Sequence, residues 1–236
     1  MKKIFLVFLI GCLVVTAAAQ TDQRTTDTKV TDILARYPYQ NAEENKAFAE
    51  QTENLDKEGL AILTGRLQPP GKGDNTAAEY AIMSYTFYIA QKGKDLKRKE
   101  AIEVYGKTLE NTSLGFTRDF LILQLEIIGN DEAIPYLKSV FEEENLGERA
   151  VRAVGRLNTA AANKTLIDAL KTTTGRQQLA VIEMLGINGY APAEKALRKL
   201  AVSSNEDIAK TATYALAGIA SASSAKSLKK LAKASG

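Results

Sequence analysis

The residue types available for chemistry are few. The 236 residues include no His and no Trp, and a single Cys, Cys12. Without imidazole there is no His metal ligand and no Ser-His or Cys-His nucleophile. Three patterns remain. The first is an acidic cluster, Glu142-Glu143-Glu144 with Glu148. Acid–base catalysis needs two carboxylates in unlike environments within one cleft. Consecutive glutamates at a helix end instead point different ways into solvent, and a weak calcium site is the alternative. The second is Gly71-Lys72-Gly73-Asp74-Asn75-Thr76, which has the glycines of a phosphate loop but not the G-x-x-x-x-G-K-[ST] order, and no strand precedes it. Pro69-Pro70 stops the preceding helix, the glycines allow the turn, and Asp74, Asn75 or Thr76 caps the next helix. A phosphate or glycan contact through the loop amides is the alternative there.

The third pattern is periodic. Lys164, Lys195 and Lys226 stand 31 and 31 residues apart, and Asp168, Lys199 and Lys230 follow four residues after each. In a stacked array, equivalent positions form a ladder along one face. From Ala160 to Gly236 the chain carries 11 basic and five acidic residues, net +6, although the whole chain is only +3. The candidate binding residues are therefore Lys164, Lys195, Lys199, Lys226 and Lys230, facing an acidic protein; an anionic glycan or the acidic half of another copy are alternatives. A plain solvated helix face is the structural reading of the same lysines. No catalytic, cofactor-binding or metal-ligating residue is expected, and the near-neutral total makes no case for nucleic acid.

The elements that would carry this ladder repeat. Leu137, Leu166, Leu197 and Leu228 are 29, 31 and 31 residues apart, each inside a similar segment such as Ala193-Glu194-Lys195-Ala196-Leu197-Arg198. Ahead of each lies a second helical segment: 120–129, 148–158, 177–189 and 207–220. Gly155 and Gly186 are also 31 apart, and Gly129, Asn158 and Gly189 share the column at the turn between helices. Gly and Asn accept the left-handed conformation of a helix C-cap. The spacing of Ile134, Leu137 and Phe141 fits one helix face. The first half reads as helices over 41–54, 56–67, 76–92 and 95–111, with Tyr105 lying 32 before Leu137. Thr76-Ala77-Ala78-Glu79 has capping-box spacing. The helix it opens is apolar on nearly all sides through Tyr80, Ile82, Met83, Tyr85, Phe87, Tyr88 and Ile89, and should be buried. Sugar-binding grooves use rings such as Tyr37, Tyr39, Tyr80, Tyr85, Tyr88 and Tyr105, but helical spacing assigns most of them to the core. The last helix, 223–234, places Lys226, Lys229, Lys230 and Lys233 outside and Leu228 and Leu231 inside. It either caps the array or leaves a face through which copies associate.

Residues 1–19 read as a secretory signal peptide. Lys2-Lys3 is the positive n-region, Ile4 to Val15 the apolar run, and Ala17-Ala18-Ala19 before Gln20 the cleavage site. Leu9-Ile10-Gly11-Cys12 resembles a lipobox, an alternative that leaves a very short apolar run. The run is too short to span a bilayer. The mature chain is then expected in the periplasm or cell envelope without a thiol. It is laid out as a flexible segment (20–28), irregular helical repeats (29–112) and regular repeats (113–236) in one continuous array.

The segment Leu125-Glu126-Ile127-Ile128-Gly129-Asn130-Asp131-Glu132-Ala133-Ile134-Pro135-Tyr136-Leu137 resembles short bacterial HEAT-type repeats, the class also found in phycobilin lyases. That resemblance covers about Thr117 to Ala232. It implies an all-α, right-handed alpha-alpha superhelix of five or six helical pairs, with second helices on the concave face, and it implies no chemistry. Ile33-Leu34-Ala35-Arg36-Tyr37-Pro38, the stretch Gln68 to Thr76 with Glu79-Tyr80-Ala81, and Thr159 to Lys164 are similar to the N-terminal region of exported Bacteroidota proteins. In those proteins HEAT-like repeats precede a domain of 3-keto-disaccharide hydrolase type. Ending at Gly236, this chain is expected to lack that domain. Two functions follow as expectations: a non-enzymatic binding or scaffold protein, or an accessory region of a carbohydrate-active system. A helical-repeat DNA glycosylase is set aside, since export separates it from genomic DNA and no Trp exists for an aromatic pocket like that family's.

Overall fold

The computed structural model describes residues 22–234. The expected signal segment, the cleavage pair Ala19 and Gln20, Cys12 and the Leu231 side chain lie outside the described residues. The protein is all-α. Its first helices are α1 (Thr26–Leu34), α2 (Ala42–Glu53), α3 (Lys57–Gly65), α4 (Thr76–Ile89) and α5 (Asp95–Asn111). Then come α6 (Gly115–Ile128), α7 (Ile134–Lys138), α8 (Gly147–Leu157) and α9 (Ala160–Ala169). The chain closes with α10 (Gly175–Ile187), α11 (Glu194–Leu200), α12 (Glu206–Ile219) and α13 (Ala222–Ala234). Among the described residues no helix is long and apolar enough to cross a membrane.

Local chemistry starts at least five of these helices. Thr25, Asn41, Asp56, Thr159 and Asn205 each accept a backbone N–H from the first turn of the helix that follows. Such a cap stabilises a helix by about 1 kcal/mol. At α2 the arrangement is reciprocal, because the Gln40 N–H also donates to Glu44 Oε2 at 2.9 Å. Two starts differ from expectation. α1 begins at Thr26, within the segment assigned to flexible chain. At α4 the capping box does not form: Thr76 is already helical, and the Asp74 carboxylate accepts its N–H at 2.8 Å. Asn75 instead clasps the far side of the loop, accepting the Gln68 N–H at 2.7 Å and donating to the Gln68 carbonyl at 2.8 Å.

Packing follows chain order. α2 lies on α4, α4 on α6, α6 on α8, α8 on α10 and α10 on α12, while α1 lies on α3, α3 on α5 and α5 on α7. Lateral contacts join α8 to α9, α11 to α12 and α12 to α13. One hydrophobic core runs through all of it, from Val30 to Leu216. The boundary placed at Thr112 is the short loop between α5 and α6, which pack on each other. Leu137, Leu166 and Leu197 are fully buried and Leu228 is partly buried against the core. Each such leucine contributes about 1.5–3 kcal/mol by leaving water.

Glycine sets the spacing between α8, α10 and α12. A Cβ on Gly186 would run into the Ala215 backbone, one on Gly155 would sit 2.6 Å from Met184 Cγ, and one on Gly218 would sit 2.5 Å from the Gly186 carbonyl oxygen. α10 and α12 touch backbone to backbone, while α8 meets α10 through the Met184 side chain. The turn column behaves as expected at Asn158 (φ 47°) and Gly189 (φ 59°), and Ala220, one period on, is also left-handed at φ 51°. Gly129 departs from the expectation: it is extended, with φ −62° and ψ 152°. Space explains that glycine, since a Cβ there would strike the Leu125 carbonyl oxygen.

Two further expectations change. α7 is five residues long: a 3₁₀ turn (Asp131–Ala133) precedes it, Pro135 lies in its first turn, and Phe141 is buried just beyond the helix. α4 is one-sided: Ala78, Ala81, Ile82, Tyr85 and Ile89 face the core, while Met83 and Phe87 are exposed.

Candidate functional site

The tyrosine-rich half is core. Tyr105 and Tyr85 are buried, and Tyr37, Tyr39, Tyr80 and Phe48 form one aromatic cluster with ring centroids 4.3–5.7 Å apart. Tyr88 is partly buried beneath Lys94, whose Nζ donates to its hydroxyl at 2.7 Å. Burial pushes the Tyr39 phenol up to about 12 and those of Tyr85 and Tyr105 further up. Tyr37, Tyr39 and Tyr80 are partly buried and pack on one another.

The acidic cluster is dispersed. Glu143 receives Arg118 in a bidentate pair at 2.7 Å and 2.7 Å, and Glu148 accepts from Arg152 at 3.2 Å. Glu142 and Glu144 are exposed. No group of three or more carboxylates gathers as a metal ion would require among the described residues. The Gly71–Thr76 stretch forms the loop closed by Asn75, with Gly71 in a left-handed turn at φ 77°.

Every ladder lysine is exposed. Lys164 on α9 pairs with Asp168 at 3.0 Å within its own helix, and that ammonium holds the Asp168 carboxyl below its ordinary value. Lys195 and Lys199 lie on α11, and Lys226 and Lys230 on α13. The last two line an open groove of about 670 Å³ that also takes Arg198, Lys229, Lys233, Ser223 and Ser227. The other three ladder lysines do not line it. Arg198, Lys229 and Lys233 are cations that the expected ladder left out, although Arg198 and Lys229 are themselves 31 residues apart, in the column directly after Leu197 and Leu228.

A second charged surface was absent from the expectations. Arg149, Arg152 and Arg156 share one face of α8 at i, i+3, i+7. Arg149 pairs with Asp119 of α6 at 3.0 Å, Arg152 with Glu183 of α10 at 2.9 Å, and Arg156 with Glu126 of α6. These pairs tie α6, α8 and α10 together. A signal existed in the sequence: Glu183 follows Arg152 by the 31-residue period, so opposite charges in one column become neighbours across the stack.

No family model and no curated protein matches this chain.

Proposed function

We propose that this protein is an exported, non-enzymatic scaffold of HEAT-like type. Its helical pairs wind into a right-handed superhelix, and its C-terminal cationic face receives an acidic protein. One observation carries the reading: cations such as Lys57, Lys94, Arg149 and Arg152 meet carboxylates of neighbouring helices, whereas those on α11 and α13 stand largely without carboxylate partners. Neighbour-on-neighbour packing of the helices supports the repeat architecture. Unneutralised like charges on adjacent helices repel one another and are relieved by a complementary partner.

The test is affinity capture from envelope extract by the wild-type protein and by a Lys164→Glu, Lys195→Glu, Lys199→Glu, Lys226→Glu, Lys230→Glu variant. A specific partner held by the first and released by the second supports the reading. A partner held equally by both returns these lysines to solvent and overturns it. Cell fractionation tests export, with the mature N-terminus expected at Gln20.

A further inference from the structure

Four lysines of α13 fall at 226, 229, 230 and 233, a spacing of i, i+3, i+4 and i+7 that puts them on one face of the helix. Like charges three and four residues apart destabilise a helix. α13 nevertheless gathers four, and α11 turns a fifth cation, Arg198, toward the same groove. No carboxylate lines it.

Arg198 is held in place before any ligand arrives. Its Nη1 donates to Ser223 Oγ at 2.6 Å and lies 3.5 Å from Glu194 Oε1. Glu194 is itself buried, and its other oxygen accepts from Ser221 at 3.1 Å. Glu194 therefore stands beside the guanidinium as its ion partner. Because Ser223 Oγ accepts from Arg198, its own proton is free to be donated. Ser227 donates its hydroxyl to the Ser223 carbonyl at 3.0 Å, which leaves the oxygen lone pairs and no proton on that side.

We propose that this groove binds a phosphate group bearing two or more negative charges, of the pyrophosphate or phosphomonoester kind. A single Asp or Glu side chain brings one charge in one plane and would leave most of the five cations facing each other. A tetrahedral oxyanion presents oxygens in several directions, enough for the planar fork of Arg198, the compact ammonium groups around it and the Ser223 hydroxyl together. At about 670 Å³ the groove has the size of a small-ligand site. It shares Lys226 and Lys230 with the protein-binding face proposed above, while Arg198, Lys229 and Lys233 belong to the groove alone, so the two readings fail separately.

The experiment is calorimetric titration of the protein, purified after expression of the full chain, with sodium pyrophosphate at an ionic strength held constant with chloride. Saturable binding is expected. An Arg198→Ala, Lys229→Ala, Lys233→Ala variant, checked for unchanged helicity, should lose at least tenfold in affinity. A Lys164→Ala, Lys195→Ala, Lys199→Ala variant should bind as the wild type does. Co-sedimentation with phosphatidic acid vesicles forms the second arm; groove-dependent binding there without binding of soluble pyrophosphate identifies a lipid headgroup as the source and supports the proposal. Equal binding by wild type and groove variant overturns it. So does groove-dependent binding of poly-glutamate with neither phosphate source bound, which would assign the groove to an acidic polypeptide.

Discussion

Residues 22–112 separate their helices with large side chains such as Tyr105, Phe48, Ile82 and Ile89, whereas residues 113–234 bring α8, α10 and α12 together at Gly155, Gly186 and Gly218. Both parts join their elements with ion pairs between distant residues: Lys57 with Glu103 at 2.5 Å and Lys94 with Glu53 at 2.9 Å in the first, Arg149 with Asp119 at 3.0 Å and Arg152 with Glu183 at 2.9 Å in the second. The second part reaches its strictest period, 31 and 31, where the contacts are backbone and methyl. Bulky interdigitating side chains let each neighbouring pair adopt its own spacing and length. Small residues fix one interaxial distance, so an evenly spaced stack can recur from the same short motif.

The largest effect that would sharpen this contrast is Tyr105→Ala. It empties a fully buried site in the side-chain-packed half, and about 4 kcal/mol of stability should be lost in chemical denaturation. Next is a pair of glycines. Gly186→Ala forces a methyl onto the Ala215 backbone and should cost about 2–3 kcal/mol, whereas Gly65→Ala in α3, where a Cβ meets nothing within 4 Å, should be neutral or stabilise by about 0.5 kcal/mol. Equal tolerance at both positions would break the comparison.

A smaller effect separates the halves by pH. Lys107 and Lys57, both hydrogen-bonded to Glu103, hold its carboxyl at about 2 against an ordinary 4.5. A depressed folded-state pKa means that this contribution is fully present above 4.5 and is lost as pH falls toward about 2. Acidification through that window should loosen α3 against α5, read as lost amide protection there. Glu103→Gln should remove this pH dependence while leaving α10 and α12 as protected as before. The smallest change is Lys164→Ala: its partner Asp168 is on the same exposed helix face, and the stability difference should stay under about 0.5 kcal/mol.

Much of the fold was legible because it is local. The leucine column, the turn column at Asn158 and Gly189, and the helices read over 41–54 and 56–67 are short-range patterns whose physics needs only neighbouring residues. Where the reading missed, a longer-range partner intervened. Asn75 left the cap of α4 for the Gln68 backbone, Phe87 found no neighbour to cover it, and Gly129 answers to the Leu125 carbonyl rather than to a left-handed turn. The candidate site was half legible. Periodicity found Lys226 and Lys230 but also Lys164, whose charge is shared with Asp168, and although Arg198 and Lys229 share a column 31 residues apart, the period did not show that Arg198 turns into the groove of α13.

By itself, the sequence determined an all-helical chain without imidazole, a repeat of about 31 residues and a charge imbalance toward its C-terminal end, since composition and period are properties of the chain alone. Tertiary structure alone decided which of those charges meet. Arg152 meets Glu183 of the neighbouring helix, while Arg198, whose one carboxylate partner is Glu194 on its own helix, faces the lysines of α13. Coulomb interactions depend on distance through space, and that distance is set only when the helices pack.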